Sequence, residues 1–369
     1  MLRHESGSED NQSMLDPAEI TLSTRQIFQS LEFSAAGEQF IDISNQGKDW
    51  RLVKYPSEKY SDEFRYAVYP SEPFSGGGEG GIYLSQGTVK RSKTVDGGSE
   101  VVYEKKDLQK KHRRCVKEYL PANEDDDRTP NEKATREWSF LQLFKGTKKP
   151  IVTMDNSRSA VVMRFAEGER LQDYIMADIN GERVFSLDQR INLTIMIGEA
   201  ILKLHAMGII HRDLKPENII LEIDENNNPV NIRIIDFGCA KWNDEDNINE
   251  KVGTEEYAAP EAYLGQRSNA KRDSYSFAVI IRFLWQCFSL PKYAGLSNEH
   301  IYLIKRILIL GLHTDPEERA SLEGMIKAFR VIKNERLAQP IQPTEQMEQP
   351  YQPDSPEMLI RPQTSCVIC

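Results

Sequence analysis

The sequence predicts an α+β protein. Short β-rich runs broken by glycine and turn residues mark its first half, and helix-period apolar segments mark its second. Between them Asn218–Ile223 and Val230–Ile235 read as two strands joined by the turn residues Asp224-Glu-Asn-Asn-Asn-Pro229. The chain has 369 residues, 39% of them hydrophobic. That is enough for a two-part core of roughly 250 residues with tails.

In chain order, residues 1–17 are polar and predict a disordered N-terminus. Residues 18–63 mix short apolar pieces with turns and are expected to pack on the β-rich part or to add a strand to it. Phe64–Tyr69 is β-like and leads into Ser75-Gly-Gly-Gly-Glu-Gly-Gly81. Backbone amides approach phosphates closely where no Cβ intervenes, and Gly76-x-Gly78-x-x-Gly81 has that character. Gly77 and Gly80 allow other alignments, and a run this rich in glycine also suits a flexible hairpin. Residues 88–112 leave room for a hairpin before the strand Cys115–Leu120. An acidic loop then precedes a helix at Ala134–Leu143, and Phe185–Met207 supplies a long amphipathic helix. The Pro- and Gln-rich stretch 338–365 reads as a linker within a disordered tail, 336–369.

Composition narrows the function classes. A formal net charge of -10 and a pI near 5.3 argue against global attraction to nucleic acid, so no nucleic-acid partner is expected. The five cysteines, Cys115, Cys239, Cys287, Cys366 and Cys369, are scattered without zinc spacing. That pattern suits a reducing, cytoplasmic compartment. No apolar run of membrane-spanning length and no signal-peptide core is present.

The chemistry-bearing stretch is His211-Arg212-Asp213-Leu214-Lys215-Pro216-Glu217-Asn218. Asp213 has the chemistry to orient a hydroxyl and accept its proton, and Lys215 to neutralise a phosphoryl group. Asn218 offers a neutral oxygen to a hard cation. The two strands that follow bring Asn218 beside Asp236, which opens Asp236-Phe237-Gly238. Two oxygen ligands for Mg²⁺ thus lie next to a candidate base.

These residues resemble the H-R-D-x-K-x-x-N catalytic loop and the D-F-G of eukaryotic-type protein kinases. The resemblance implies a bilobal protein-kinase fold over 64–335. Its small β-rich N-lobe, about 64–163, would hold one key helix, and its larger, mainly helical C-lobe would span about 167–335. It implies ATP and Mg²⁺ as cofactors and a protein substrate with Ser or Thr. Asp213 and Lys215 would be catalytic, with Asn218 and Asp236 on the metal. Gly76, Gly78 and Gly81 would cover the phosphates, and Lys117, held by Glu137, would position them. Cys115 would roof the adenine, Met163 would be the gatekeeper and Ala166 the backbone partner of the base. His211, Arg212, Phe237, Thr254, Glu261, Asp273 and Arg319 fall on the family's structural and regulatory positions, with Arg319 expected to pair with Glu261. Preference for serine or threonine rests on Lys215 and Thr254.

Arg212 usually pairs with an activation-loop phosphate in that family, yet Cys239–Val252 contains no Ser, Thr or Tyr. Asp244, Glu245, Asp246 and Glu250 are the carboxylates available instead. Two alternatives stay open: a pseudokinase or nucleotide-binding scaffold, and a small-molecule kinase of the same superfamily. The terminal Cys366-Val-Ile-Cys369 fits a C-a-a-X prenylation box. It implies a prenyl lipid on Cys366 and a membrane surface as partner, with the basic cluster Lys105–Arg114 as a second signal. Such a protein would be cytoplasmic or peripheral on membranes, in a eukaryote or as a bacterial effector in the host cytoplasm. The oligomeric state is not legible.

Overall fold

A computed structural model describes residues 39–45, 47–56, 64–77, 80–93, 95–96, 98–105, 113–121, 128–144, 147–148, 151–152, 157–245, 252–264, 269–285 and 295–338. The first part is built from β1 (Phe40–Asn45), β2 (Lys48–Pro56), β3 (Phe64–Pro70), β4 (Ser75–Gly77), β5 (Gly80–Leu84), β6 (Gly87–Lys93), β7 (Ser99–Lys105) and β8 (Arg114–Tyr119). Helix α1 (Pro130–Leu141) and strands β9 (Ile151–Val152) and β10 (Ser159–Arg164) complete it. The rest comprises β11 (Glu169–Arg170), α2 (Leu171–Ile179), α3 (Leu187–Ala206), β12 (Ile209–Ile210), β13 (Ile219–Ile223), β14 (Pro229–Ile234) and β15 (Lys241–Trp242). Helices α4 (Pro260–Tyr263), α5 (Ala270–Trp285), α6 (Asn298–Gly311) and α7 (Leu322–Ala338) follow. The β-rich part preceding a mainly helical part is the α+β, bilobal arrangement expected.

The small lobe holds two five-stranded sheets. The inner one runs β4-β5-β8-β10-β9 and the outer one β1-β2-β3-β6-β7. Alternation along each strand gives both sheets an apolar face toward the other. Val53, Tyr55, Ala67 and Tyr69 of the outer sheet meet Tyr83, Val116, Ala160 and Val162 of the inner one, all buried. The opposite face of the outer sheet is buried too, through Trp50, Leu52, Tyr66, Val68 and Val89.

Two expectations change here. Phe64–Tyr69, read as the strand that leads into the glycine run, belongs instead to the outer sheet as β3. It pairs with β2 along its whole length, from Trp50↔Pro70 to Pro56↔Phe64. The boundary expected between 63 and 64 therefore falls inside one sheet. Pattern alone marks a strand but not the sheet it joins, because pairing partners lie far away in sequence. The hairpin expected within 88–112 is β6–β7, and it adds to the same outer sheet through β3. At the other end α7 runs to Ala338, past the expected start of the tail at 336. Residues 1–17 and 339–369, Cys366 included, lie outside the described residues.

Helix α1 starts at Pro130, four residues ahead of the expected Ala134, because a cap holds its first turn. Thr129 accepts from the Glu132 amide at 3.3 Å and the Glu132 carboxylate accepts from the Thr129 amide at 2.7 Å, a reciprocal capping box with Pro130 behind it. Its buried stripe, Ala134, Glu137, Phe140 and Leu141, faces the inner sheet. The second lobe packs α3, α5, α6 and α7 around Ile197, Ile201, Phe277, Ile281, Ile304, Ile326 and Phe329. That core fixes the root from which the catalytic-loop residues project.

Candidate active site

Side chains alternate along β8, so Cys115, Lys117 and Tyr119 share the face turned away from the outer sheet. Lys117 Nζ donates to Glu137 Oε2 of α1 at 2.7 Å and to Asp236 Oδ1 at 2.9 Å. The Tyr119 hydroxyl donates to the same Glu137 oxygen at 2.7 Å. Tyr119 was not singled out by sequence, although its alternation with Lys117 was the available signal. Burial alone would push the Lys117 ammonium down, but the Glu137 and Asp236 charges outweigh it and hold it well above the usual lysine value. The Lys117 charge pulls Asp236 down to about 2. Burial pushes Glu137 up, against the pull of Lys117 and the Tyr119 hydroxyl. Burial also pushes the Cys115 thiol to about 12, which leaves it neutral and unreactive.

The catalytic-loop residues converge from the other side. Asp213 Oδ1 accepts from the Thr254 amide at 2.7 Å and its hydroxyl at 2.8 Å. Lys215 Nζ donates to the Thr254 hydroxyl at 2.7 Å and sits 3.4 Å from Asp213 Oδ2. Asn218 Nδ2 donates to the Asp213 carbonyl at 2.9 Å and to Oδ2 at 3.2 Å. The β13–β14 hairpin returns the chain so that the Ile235 amide donates to the Asn218 carbonyl at 2.9 Å. That bond sets Asp236 beside Asn218. Arg212 and Asp236 both have positive φ, 67° and 65°, a strained state for residues with a Cβ that the surroundings must enforce. Asp273 supplies part of that enforcement, accepting the His211 and Arg212 amides at 2.9 Å each and His205 Nε2 at 2.8 Å. His211 Nε2 lies 3.1 Å from the Ile235 carbonyl. Phe237 is buried against Phe140, Phe144 and His211, joining α1 to the loop.

Two further sequence-marked residues form an anchor. Arg319 donates to Glu261 Oε1 at 2.6 Å and Oε2 at 2.8 Å, and both side chains are buried. Arg212 donates its Nε–H to the Cys239 carbonyl. Of the four carboxylates expected to serve Arg212, Asp246 and Glu250 lie outside the described residues, as do 106–112 of the basic cluster.

At the junction between lobes, Met163 lies on β10 opposite Cys115 and packs against the cluster holding Tyr119, Phe140 and Phe237. Ala166 follows in the connecting segment and is half-buried. Beside it the Phe165 amide donates to the Arg113 carbonyl at 2.9 Å, and Arg113 grips Glu167 through two nitrogens. The glycine run forms a tight hairpin in which Gly76 faces Gly81 and Gly77 faces Gly80. Gly78 lies outside the described residues. The position that demands glycine is Gly80: its φ is +149°, and a Cβ there would stand 1.9 Å from the Glu118 carbonyl oxygen. Gly80→Ala is therefore expected to lower stability by about 1–3 kcal/mol from backbone strain alone. Chemical-denaturation midpoints measure it, and an unchanged midpoint would show that the hairpin relaxes freely.

The comparisons with known proteins agree with this geometry. The family model described as the protein kinase domain matches residues 90–299, more than half of the chain. The serine/threonine-protein kinase CG17528 of Drosophila melanogaster is 31% identical over 168 residues, 45% of this chain and 21% of that protein. The serine/threonine-protein kinase Pkn1 of Myxococcus xanthus is 34% identical over 127 residues, 33% of this chain and 17% of its own. The serine/threonine-protein kinase ste20 of Emericella nidulans is 31% identical over 189 residues, 45% of this chain and 21% of its own. The chain thus spans about a fifth of the length of the curated relatives it matches. With the Lys117–Glu137 and Asp213–Asn218 groups held together as described and the family model matched across most of both lobes, the chain belongs to the protein kinase domain family.

Proposed function

We propose that the chain is a serine/threonine protein kinase that transfers the γ-phosphoryl group of ATP to a protein hydroxyl. The observation that carries this reading is the Lys117–Glu137–Asp236 ion cluster facing Asp213, Lys215 and Thr254. Family membership implies ATP and a divalent metal in general. The donor set here fits Mg²⁺. The Asn218 amide nitrogen is committed to Asp213, and Asn218 Oδ1 and Asp236 Oδ2 take part in none of the described hydrogen bonds, so both oxygens are candidates for the ion. Two hard oxygens suit an ion that keeps several waters and shares substrate phosphates. Bound there, Mg²⁺ would neutralise charge on the phosphates.

Each residue then has a task. Lys117, held charged by Glu137, orients the nucleotide phosphates. Asp213 orients the acceptor hydroxyl and takes its proton. Lys215, next to Asp213, offsets negative charge that grows on the transferring group. Thr254 fixes the direction of both, through its hydroxyl and its amide. Catalysis of this kind is positioning plus charge neutralisation in a fixed geometry. Gly253 to Glu261 favours a peptide substrate over a sugar or aminoglycoside, because in the family this segment is a docking shelf. The test is transfer of labelled phosphate from ATP to a peptide array, with aminoglycosides and sugars assayed in parallel. Labelling of small molecules alone, or ATP binding without any transfer, would replace this reading with one of its two alternatives.

Membrane tethering is a separate part of the proposal. Cys366 opens the C-a-a-X-like Cys366-Val-Ile-Cys369, and among the described residues no helix is long and apolar enough to cross a membrane. A prenyl group on Cys366 would supply an anchor, which one lipid alone makes only marginal. Fractionation of eukaryotic cells expressing Cys366→Ser tests it. Membrane partition identical to wild type removes lipidation from the reading.

A pH effect follows from Tyr119. Its hydroxyl stabilises the ionised form of Glu137, the form that holds Lys117. Tyr119→Phe removes that stabilisation, so the Glu137 pKa rises further. The acid limb of ATP affinity should then move to higher pH, by less than one unit. A hydrogen bond contributes about 1 kcal/mol net, and one pH unit corresponds to about 1.4 kcal/mol. ATP titrations at a series of pH values measure the shift, and superimposed profiles would show that Lys117 alone sets the ionisation of Glu137.

A further inference from the structure

The outer sheet is tied to the back of the Lys117 strand by a buried carboxylate, Glu118. Alternation along β8 turns Lys117 to the cleft and Glu118 to the outer sheet. Glu118 is fully buried. A charge persists in such a place only when donors surround it, and three do. Tyr69 of β3 donates its hydroxyl to Oε1, Arg158 donates to Oε1 at 3.0 Å, and Arg51 of β2 donates to Oε2 at 3.0 Å. Arg158, just ahead of β10, also donates to Asp42 of β1 at 3.0 Å and lies over the Phe40 ring at 4.6 Å. Arg51 adds a bond to the Tyr83 hydroxyl of β5 at 3.2 Å. The network therefore spans β1, β2 and β3 of one sheet and β5, β8 and the approach to β10 in the other.

The apolar contact between the sheets is non-directional and would tolerate sliding. The charge-assisted bonds are directional and fix one arrangement. Glu118 also adjoins the glycine hairpin. It pairs in register with Gly81, and its carbonyl oxygen is the atom that Gly80 closes upon. Lys117, its neighbour, pairs in register with Ile82.

We infer that Glu118 is a positioning residue through which the outer sheet holds β8 and the glycine hairpin in the register that receives the ATP phosphates. The N-terminal sheet is then a working part of the nucleotide site and not an appended module. This rests on the nucleotide-binding reading proposed above. Arg51, Tyr69 and Arg158 act through the same carboxylate, so their effects converge on one property, nucleotide affinity.

The test uses the full chain carrying Glu118→Gln, Tyr69→Phe or Arg158→Met, and the pair Glu118→Gln with Arg158→Met. Calorimetry with Mg·ATP gives Kd without requiring transfer, thermal melting gives stability, and kinetics separate KM for ATP from KM for peptide. Glu118→Gln is expected to weaken ATP roughly five- to tenfold, with peptide KM and kcat near wild type, as for substitution within a coupled network. Tyr69→Phe shifts ATP affinity in the same direction by less. Arg158→Met adds little once Glu118 is changed, because the shared bond is already gone. A lowered melting temperature with unchanged ATP affinity overturns the inference, because a purely structural tie predicts that pattern. Should Glu118→Gln fail to fold, Tyr69→Phe removes one hydroxyl only and decides on the same criterion. Wild-type protein that binds no ATP removes the kinase reading and the inference together. Wild type that binds while Glu118→Gln binds equally well removes the inference alone.

Discussion

Asp213→Asn is expected to lower kcat by about 10²–10⁴-fold, the contribution of a positioned general base, while the protein stays folded. Asparagine keeps the shape of the side chain, and its oxygen still accepts from the Thr254 amide and hydroxyl, now 2.7 and 2.8 Å from Oδ1. What it loses is the ability to take a proton. The new amide NH₂ also points donors at Asn218 Nδ2 and Lys215, which stand 3.2 and 3.4 Å from Oδ2. Affinity for ATP should change little, because Lys117, Glu137 and Asp236 make no hydrogen bond to Asp213 among those described. The measurement is steady-state kinetics with a peptide substrate alongside ATP titration and a melting curve. A variant with kcat within tenfold of wild type would mean that another group accepts the proton. One that loses both kcat and ATP affinity would mean that the loop had collapsed. Because Asp213 acts mainly in the transition state, the loss belongs in kcat and not in KM.

The largest stability effect should come from Arg319→Met. Arg319 is buried, and it donates to both Glu261 oxygens, to the His313 carbonyl at 2.9 Å and to the Lys271 carbonyl at 2.9 Å. Its guanidinium also lies 5.1 Å from the Tyr275 ring centroid. Removing it strands the Glu261 carboxylate, itself 2% exposed, without its charge partner. Breaking a buried pair in this way costs about 3–5 kcal/mol, a large part of a domain's usual margin of about 5–15 kcal/mol. Denaturation midpoints should fall accordingly. The double variant Arg319→Met with Glu261→Leu should recover part of the loss, since no buried charge is then left unpaired. A single variant within about 1 kcal/mol of wild type would show that water reaches Glu261 and that the pair behaves like an exposed one. The pair joins α4, in the segment after Thr254, to the loop before α7, so the single variant should also reduce turnover below the unfolding transition.

What could be read from the sequence divides along the scale of the interactions. Asp213, Lys215 and Asn218 sit within six consecutive residues, and Asp236 follows across one hairpin whose turn is written in Asp224 to Pro229. Offsets that short leave the backbone few ways to place the groups, so the sequence marked them as one constellation. The α+β class followed in the same way from local periodicity. The start of α1 was equally legible in Thr129-Pro-Asn-Glu132, though only the capping geometry brought it to notice. Sheet membership was not legible. Phe64–Tyr69 reads as a strand wherever it pairs, and only the long-range partners β2 and β6 decide that it belongs to the outer sheet. The sequence put Gly76, Gly78 and Gly81 first and left Gly77 and Gly80 as alternatives. Gly80 became the critical one because the Glu118 carbonyl, brought there by pairing between β5 and β8, occupies the space of its Cβ. Glu118 gave no signal of its own beside Lys117, and Tyr119 gave only its alternation with it. A glutamate in a strand is ordinarily solvated, and it becomes a buried anchor only where Arg51, Tyr69 and Arg158 arrive from three separate segments. Chemistry carried by neighbours in sequence was set by the sequence itself. Chemistry shared across strands was decided by the tertiary structure, because side-chain alternation names a face but long-range pairing alone decides what that face meets.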